Sequence, residues 1–137
     1  MSDQNLKIVQ DAYAAFGRAD IPGILALLDP GIEWQAVIGA DPLIVPTAGA
    51  RKGVKAVDEF FQALGQTMVF ERFEPSEFIA QGDTVVCIGY YKARVIQTGG
   101  EMSSGWAMVF TVRNGKIVRF REFTDSAQLN RAYGAAV

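Results

Sequence analysis

The first part of the chain has hydrophobic residues at the spacing of an α-helix. They follow one another at intervals of three or four residues, so they would share one helix face. The repeating positions are Leu6, Val9, Tyr13 and Phe16. Ser2 and Asp3 stand before them and are residues that favour helix starts. We therefore predict a first helix that ends at about Arg18.

A short second helix is predicted directly after the first. Asp20 is a favourable N-cap, and Pro22 is tolerated in the first helical turn. We expect the segment Asp29-Pro30-Gly31 to end this helix and residues 32–38 to form a strand. The buried helix positions are expected to be Ile21, Ile24, Leu25 and Leu28.

Residues 39–53 contain glycine and proline among apolar residues, which predicts a loop that packs onto the rest of the chain. A third helix should follow from about Val54 to Gly65, because glycine commonly ends helices. Its inward residues are expected to be Val54, Val57, Phe60, Phe61 and Leu64.

From Thr67 onward, hydrophobic and polar residues alternate, which is the period of a β-strand. The predicted strands are 68–80, 84–96, 102–113 and 116–124, with Asn114-Gly115 as a strong hairpin signal. A last short helix should begin at Asp125 or Ser126. Helices followed by an antiparallel meander predict an α+β fold. With no linker or repeat in the sequence, we expect one domain over residues 1–137.

Composition removes several classes of function. Thirteen basic and fifteen acidic residues leave no basic excess for nucleic-acid binding. No signal peptide or apolar run of membrane-spanning length is found, and the single cysteine, Cys87, suits a reducing compartment. We therefore expect a cytoplasmic protein without a membrane or nucleic-acid partner. The absence of histidine excludes Ser-His-Asp and Cys-His catalysis. No metal-ligand or nucleotide-binding spacing occurs, so neither a metal nor a cofactor is expected.

Several short strings occur in a characteristic order along the chain. They are residues 15–20 (AFGRAD), 32–34 (IEW), 51–53 (RKG), and 109–117 (VFTVRNGKI) running on to 121–125 (REFTD). In this order they resemble the SnoaL-like, or polyketide cyclase-like, branch of the nuclear-transport-factor-2-like superfamily.

The resemblance implies a cone-shaped α+β barrel, with three N-terminal helices packed on a strongly curved, mixed or antiparallel sheet. It also implies a pocket for a small hydrophobic molecule and a homodimer formed through the outer sheet face. It does not select a reaction, because the superfamily includes isomerases, cyclases, epoxide hydrolases, dehydratases and non-catalytic domains.

By this resemblance, Asp125 is the candidate catalytic residue, since related cyclases and epoxide hydrolases carry a carboxylate at this position. A carboxylate in an apolar pocket has a raised pKa and exchanges protons more readily near neutral pH. The structural alternative is that Asp125 only caps the last helix or pairs with Arg121. Steroid isomerases of the superfamily use further acids, where this chain has Gln35 and Met108.

The candidate substrate-binding residues come from alternation along the strands and from the resemblance. Tyr91 is expected to donate a hydrogen bond to a ligand oxygen, and Trp106 to orient that oxygen. The remaining candidates for the pocket wall are Tyr13, Trp34, Phe60, Phe61 and Met108.

Two functions remain open. One is a cofactor-independent isomerase, cyclase, dehydratase or hydrolase that uses Asp125 as its acid–base group. The other is a non-catalytic domain that binds an apolar ligand or dimerises.

Overall fold

A computed structural model describes residues 2–134, which form four helices and six strands in the order expected of an α+β fold. The elements are α1 (Ser2–Gly17), α2 (Ile21–Leu25), β1 (Leu28–Ala36), β2 (Gly49–Lys52), α3 (Val54–Thr67), β3 (Met68–Gln81), β4 (Thr84–Val95), β5 (Glu101–Arg113), β6 (Lys116–Phe123) and α4 (Ser126–Ala132).

The six strands form one mixed sheet in the order β2-β1-β6-β5-β4-β3. Every neighbouring pair is antiparallel except β1 and β6, which run parallel. Two irregularities bend β3, because an extra residue in one strand of a pair curves that strand. The two edge strands, β2 and β3, are not paired with each other. The α+β class and the curved sheet are confirmed, but the sheet is open, not a closed barrel.

Two boundaries differ from the predictions near the second helix and the first strand. Helix α2 ends at Leu25, and Leu28 already belongs to β1, where it pairs with Ile117 of β6. The segment Asp29-Pro30-Gly31 lies inside that strand, where the register shifts. Proline and glycine are tolerated at such an irregularity, so they do not separate a helix from a strand here. The N-cap prediction is confirmed, because the Gly23 N–H donates to Asp20 Oδ1 at 3.0 Å.

The predicted loop and third helix also need correction. Residues 49–52 of the predicted loop form β2, which pairs with β1. Helix α3 continues through Gly65 to Thr67. Gly65 does not take the left-handed conformation that ends helices, so the helix runs on until Thr67.

The concave face of the sheet carries the core, and α1 and α3 pack over it. On β4 the alternation predicted from sequence is confirmed, since Val85, Cys87, Tyr91 and Ala93 are all buried. Gly89 lies between them because no side chain fits there. An added Cβ would lie 2.3 Å from the Trp106 ring and 2.5 Å from a backbone oxygen. Glycine thus lets the large indole lie across β4.

Candidate functional site

A cavity lies between the concave face of the sheet and the helices. Its volume is about 90 Å³, which is room for several waters or a small ring compound. Of the seven side chains predicted to contact substrate, six line this cavity: Tyr13, Trp34, Phe60, Phe61, Tyr91 and Met108. The lining is apolar apart from the hydroxyl groups of Tyr13, Thr47 and Tyr91 and the carboxyl group of Glu122.

Trp106 lies behind the cavity wall. Its indole stacks at 6.0 Å on the ring of Tyr13 and at 5.4 Å on the ring of Phe73. The indole N–H is buried without a hydrogen-bond partner among residues 2–134. In this position Trp106 holds the rings that line the cavity and is not itself one of the lining residues.

The carboxyl group in the cavity lining belongs to Glu122, a residue that was not predicted from the sequence. Glu122 lies on β6 opposite Met108 of β5, and its side chain is 5% exposed. Its Oε1 accepts the Val37 backbone N–H at 3.2 Å, and its Oε2 lies 2.8 Å from the Tyr91 hydroxyl. Burial raises the pKa of Glu122, and these two hydrogen bonds offset only part of that rise. The group therefore keeps its proton at pH values where an exposed glutamate has lost it.

Tyr91 extends this polar cluster toward the end of β6. Its hydroxyl lies 2.7 Å from Thr124 Oγ1 as well as 2.8 Å from Glu122. Burial raises the pKa of Tyr91, and the negative charge of an ionised Glu122 raises it further. Tyr91 therefore stays protonated and can always donate one hydrogen bond.

The backbone at Val37 is strained where it meets Glu122. Val37 has a φ of +42°, a left-handed conformation that is rare for a β-branched residue. The neighbouring Ile38 N–H also bonds to the Glu122 backbone oxygen at 3.0 Å. Such strain persists only when surrounding contacts hold the backbone in place, and here both contacts come from Glu122.

The hydroxyl of Tyr13 faces the same region from α1. It donates to Met108 Sδ at 3.0 Å, and a thioether sulfur is a weak acceptor. Burial raises the pKa of Tyr13, so its hydroxyl also stays protonated. A ligand oxygen could replace the sulfur as acceptor at little cost.

Asp125, the predicted catalytic residue, is exposed and does not line the cavity. It is the N-cap of α4, where Oδ1 accepts from the Gln128 backbone N–H at 3.1 Å and Oδ2 from the Gln128 side chain at 2.8 Å. These bonds lower the pKa of Asp125. No ion pair joins it to Arg121 in the described part of the chain. The geometry is that of the capping alternative, without the apolar surroundings that a proton-exchanging carboxylate needs.

Arg51, a basic residue before α3, makes contacts that hold the local structure. Arg51 donates to the backbone oxygens of Pro46 at 2.9 Å and Ala56 at 3.2 Å, so it ties the preceding loop to the helix.

Within residues 2–134, no group of three or more Cys, Asp or Glu side chains is placed to hold a metal ion. In the same range no helix is long and apolar enough to cross a membrane.

Comparison with known proteins fits this architecture. The sequence model of the SnoaL-like domain matches residues 9–120. The chain belongs to the SnoaL-like family. A nuclear-transport-factor-2-like protein of Burkholderia xenovorans LB400 resembles this family member at 33% identity, with 98% of each chain covered and a TM-score of 0.87.

Two further solved structures resemble the SnoaL-like chain. A nuclear-transport-factor-2-like protein of unknown function from Burkholderia pseudomallei K96243 is 28% identical, with a TM-score of 0.85 and coverage of 96% of this chain and 98% of that one. TerC, crystallised with polyporic acid, is 26% identical, with a TM-score of 0.77 and coverage of 96% and 99%. No curated protein matches the sequence.

Proposed function

We propose that this SnoaL-like protein binds a small apolar ring compound bearing a carbonyl or hydroxyl oxygen, and that Glu122 exchanges a proton with it. The observation that carries the proposal is the buried Glu122 carboxyl in the lining of a mainly apolar cavity, hydrogen-bonded to Tyr91. A carboxyl group whose pKa is raised toward neutral pH is suited to act as both acid and base. The reaction class is a cofactor-independent isomerisation, cyclisation, dehydration or hydrolysis.

The hydrogen bonds around Glu122 support proton donation to a ligand. Once Glu122 has given up its proton, the carboxylate can accept from the Val37 N–H and the Tyr91 O–H. The Val37 N–H already bonds to Oε1, and the Tyr91 hydroxyl need only turn its proton from Thr124 to Oε2, so the charge is stabilised without movement of heavy atoms. Tyr13 offers a further donor to a second ligand oxygen, while Trp34, Phe60 and Phe61 form the apolar walls.

The test uses ligand binding and proton exchange together. Polyporic acid, with which TerC was crystallised, and a panel of small aromatic ketones are screened by thermal shift and isothermal titration calorimetry. Ketones that bind are incubated in D₂O, and deuterium uptake next to the carbonyl is measured by mass spectrometry. We expect Glu122→Gln to lower the uptake rate about 100-fold or more, and Asp125→Asn to leave it unchanged.

The outcomes separate enzyme from binding protein. Binding without catalysed deuterium uptake would support the non-catalytic alternative. Uptake lost in Asp125→Asn but retained in Glu122→Gln would return the catalytic role to Asp125.

The cytoplasmic location stays a prediction that rests on the single cysteine.

We also propose that two copies associate through the outer sheet face. That face exposes a group of large apolar side chains on three different strands: Ile79, Ile88 and Phe123. Arg119 and Arg121 of β6 have no ion pair within residues 2–134, and neither has Glu77 of β3. We place the two sheets face to face, related by a two-fold axis parallel to the central strands. Arg119 and Arg121 of one copy would then lie over β3 of the other copy, which carries Glu77.

Sedimentation equilibrium tests this association. The wild type should sediment as a dimer, and Ile88→Lys as a monomer, because it places a charge at the centre of the apolar group. Leu43→Lys is the matched control, since Leu43 is 95% exposed in the β1–β2 loop and away from the sheet. A monomeric wild type, or equal dissociation of both variants, would contradict the proposal.

A further inference from the structure

Three oxygen atoms form a continuous hydrogen-bonded chain from the buried carboxyl toward the surface. Glu122 Oε2 lies 2.8 Å from Tyr91 Oη, which lies 2.7 Å from Thr124 Oγ1. A tyrosine hydroxyl has a single proton and therefore donates to only one of these neighbours at a time. The other neighbour must then donate to Tyr91.

The protonation of Glu122 decides the direction of this chain. When Glu122 carries its proton on Oε2, it donates to Tyr91 and Tyr91 donates to Thr124. When Glu122 is ionised, Tyr91 donates to the carboxylate and the Thr124 hydroxyl donates to Tyr91. The two states differ by one proton and by the direction of both hydrogen bonds.

Only the Thr124 end of this chain is partly exposed. Glu122 and Tyr91 are buried, whereas Thr124 is partly exposed and lies between the end of β6 and the exposed Asp125. Among residues 2–134, the Glu122 side chain has only one other hydrogen-bond partner, the Val37 backbone N–H. A backbone amide N–H cannot relay a proton as a hydroxyl does, because its nitrogen lone pair is delocalised into the carbonyl group.

We propose that Thr124 and Tyr91 form a proton path that connects the Glu122 carboxyl with solvent. The path restores the proton that Glu122 gives to a ligand, so its catalytic use rests on the function proposed above. Its existence does not depend on that function.

In this transfer one proton enters the path from solvent, and one proton arrives at the Glu122 carboxylate. A hydronium ion in the adjacent solvent gives a proton to Thr124 Oγ1 and becomes water, as the Thr124 O–H proton moves to Tyr91 Oη. The Tyr91 O–H proton moves at the same time to Glu122 Oε2. Both hydroxyl groups end neutral, and the carboxylate becomes a carboxylic acid. Thr124 is thus a positioning residue that acts through Tyr91.

The experiment follows hydrogen–deuterium exchange at the carboxyl group in the free protein. The carbonyl stretch of protonated Glu122 is assigned by infrared difference spectroscopy against Glu122→Gln. The protein is then mixed rapidly into D₂O at a pH where this band is present, and the rate of its isotope shift is recorded. We expect Thr124→Val to slow the shift at least about tenfold, and Thr124→Ser to keep the wild-type rate.

Ser104→Ala is the matched control, because the Ser104 hydroxyl bonds to the Asp125 backbone N–H at 3.3 Å but lies outside the path. It should exchange at the wild-type rate. Thr124→Ala provides a second path-breaking variant if Thr124→Val does not fold. Wild-type exchange in the path-breaking variants would overturn the proposal, as would equal slowing in Ser104→Ala. Because no ligand is present, this outcome is independent of the ligand and D₂O-uptake tests of function.

Discussion

Val37 donates its backbone N–H to Glu122 Oε1 at 3.2 Å while holding a φ of +42°. A β-branched residue in this conformation is strained, at a cost of about 1–3 kcal/mol. The bond to Glu122 is one of the contacts that hold the residue there. The link ties the loop after β1 to the carboxyl group that we place at the centre of function.

The pH dependence of stability should reveal the raised pKa of Glu122. An unfolded glutamate loses its proton near its ordinary pKa of 4.5, whereas the buried group keeps its proton to higher pH. Above pH 4.5 the folded state therefore binds more protons than the unfolded state. The contribution of Glu122 to the free energy of unfolding is then lost at up to about 1.4 kcal/mol per pH unit until the folded pKa is reached.

Glu122→Gln isolates this effect, because the amide oxygen can accept from Val37 and the amide NH₂ can donate to Tyr91. Urea unfolding of both proteins, measured from about pH 4 to pH 8, should show Glu122→Gln gaining on the wild type as pH rises. A stability difference that stays constant over this range would contradict a raised pKa for Glu122.

Two glycine substitutions should change stability in opposite directions. In Gly89→Ala, the new methyl group would meet the Trp106 ring and a backbone oxygen at under 3 Å. We expect a loss of about 1–3 kcal/mol in the free energy of unfolding. In Gly65→Ala, nothing lies within 4 Å of the new methyl, and the exposed helical site should gain about 0.5–1 kcal/mol. Urea unfolding measures both, and a Gly89→Ala protein of wild-type stability would contradict the close packing.

The parts of the fold that follow a clean local period could be predicted from sequence. On β4 the inward residues follow strict alternation, so Tyr91 could be placed facing the concave side. The start of β1 and all of β2 depend on pairing with other strands. Local signals such as Asp29-Pro30-Gly31 suggested other boundaries there.

Glu122 was not predicted to line the cavity, because the alternation of inward and outward residues is interrupted in β6. In β6 the inward residues Ile117 and Phe120 are three positions apart, because the pairing with β5 skips Val118. Simple alternation counted from Ile117 would therefore turn Glu122 outward. Counted from Phe120 it would turn Glu122 inward, but the sequence does not show where the skip occurs. The family resemblance instead indicated Asp125, three residues further on.

Asp125 should affect folding through helix capping and leave ligand binding unchanged. Asp125→Asn keeps a side-chain oxygen for the Gln128 N–H, whereas Asp125→Ala removes it. We expect the melting temperature to fall in Asp125→Ala and to stay near the wild type in Asp125→Asn. Calorimetry gives both values, and affinity for any compound that binds the wild type should be retained in both. A loss of affinity in Asp125→Asn would show that this carboxylate contributes to the site.

The two cavity tyrosines should respond differently to removal of the hydroxyl group. Tyr91→Phe deprives Glu122 and Thr124 of their shared partner in a buried place, which should cost about 1–3 kcal/mol in the free energy of unfolding. Tyr13→Phe breaks only a bond to the weakly accepting Met108 sulfur and keeps the ring stacked on Trp106. It should cost less than about 1 kcal/mol. Urea unfolding of both variants gives the comparison, and equal losses would show that the carboxyl cluster has no special dependence on Tyr91.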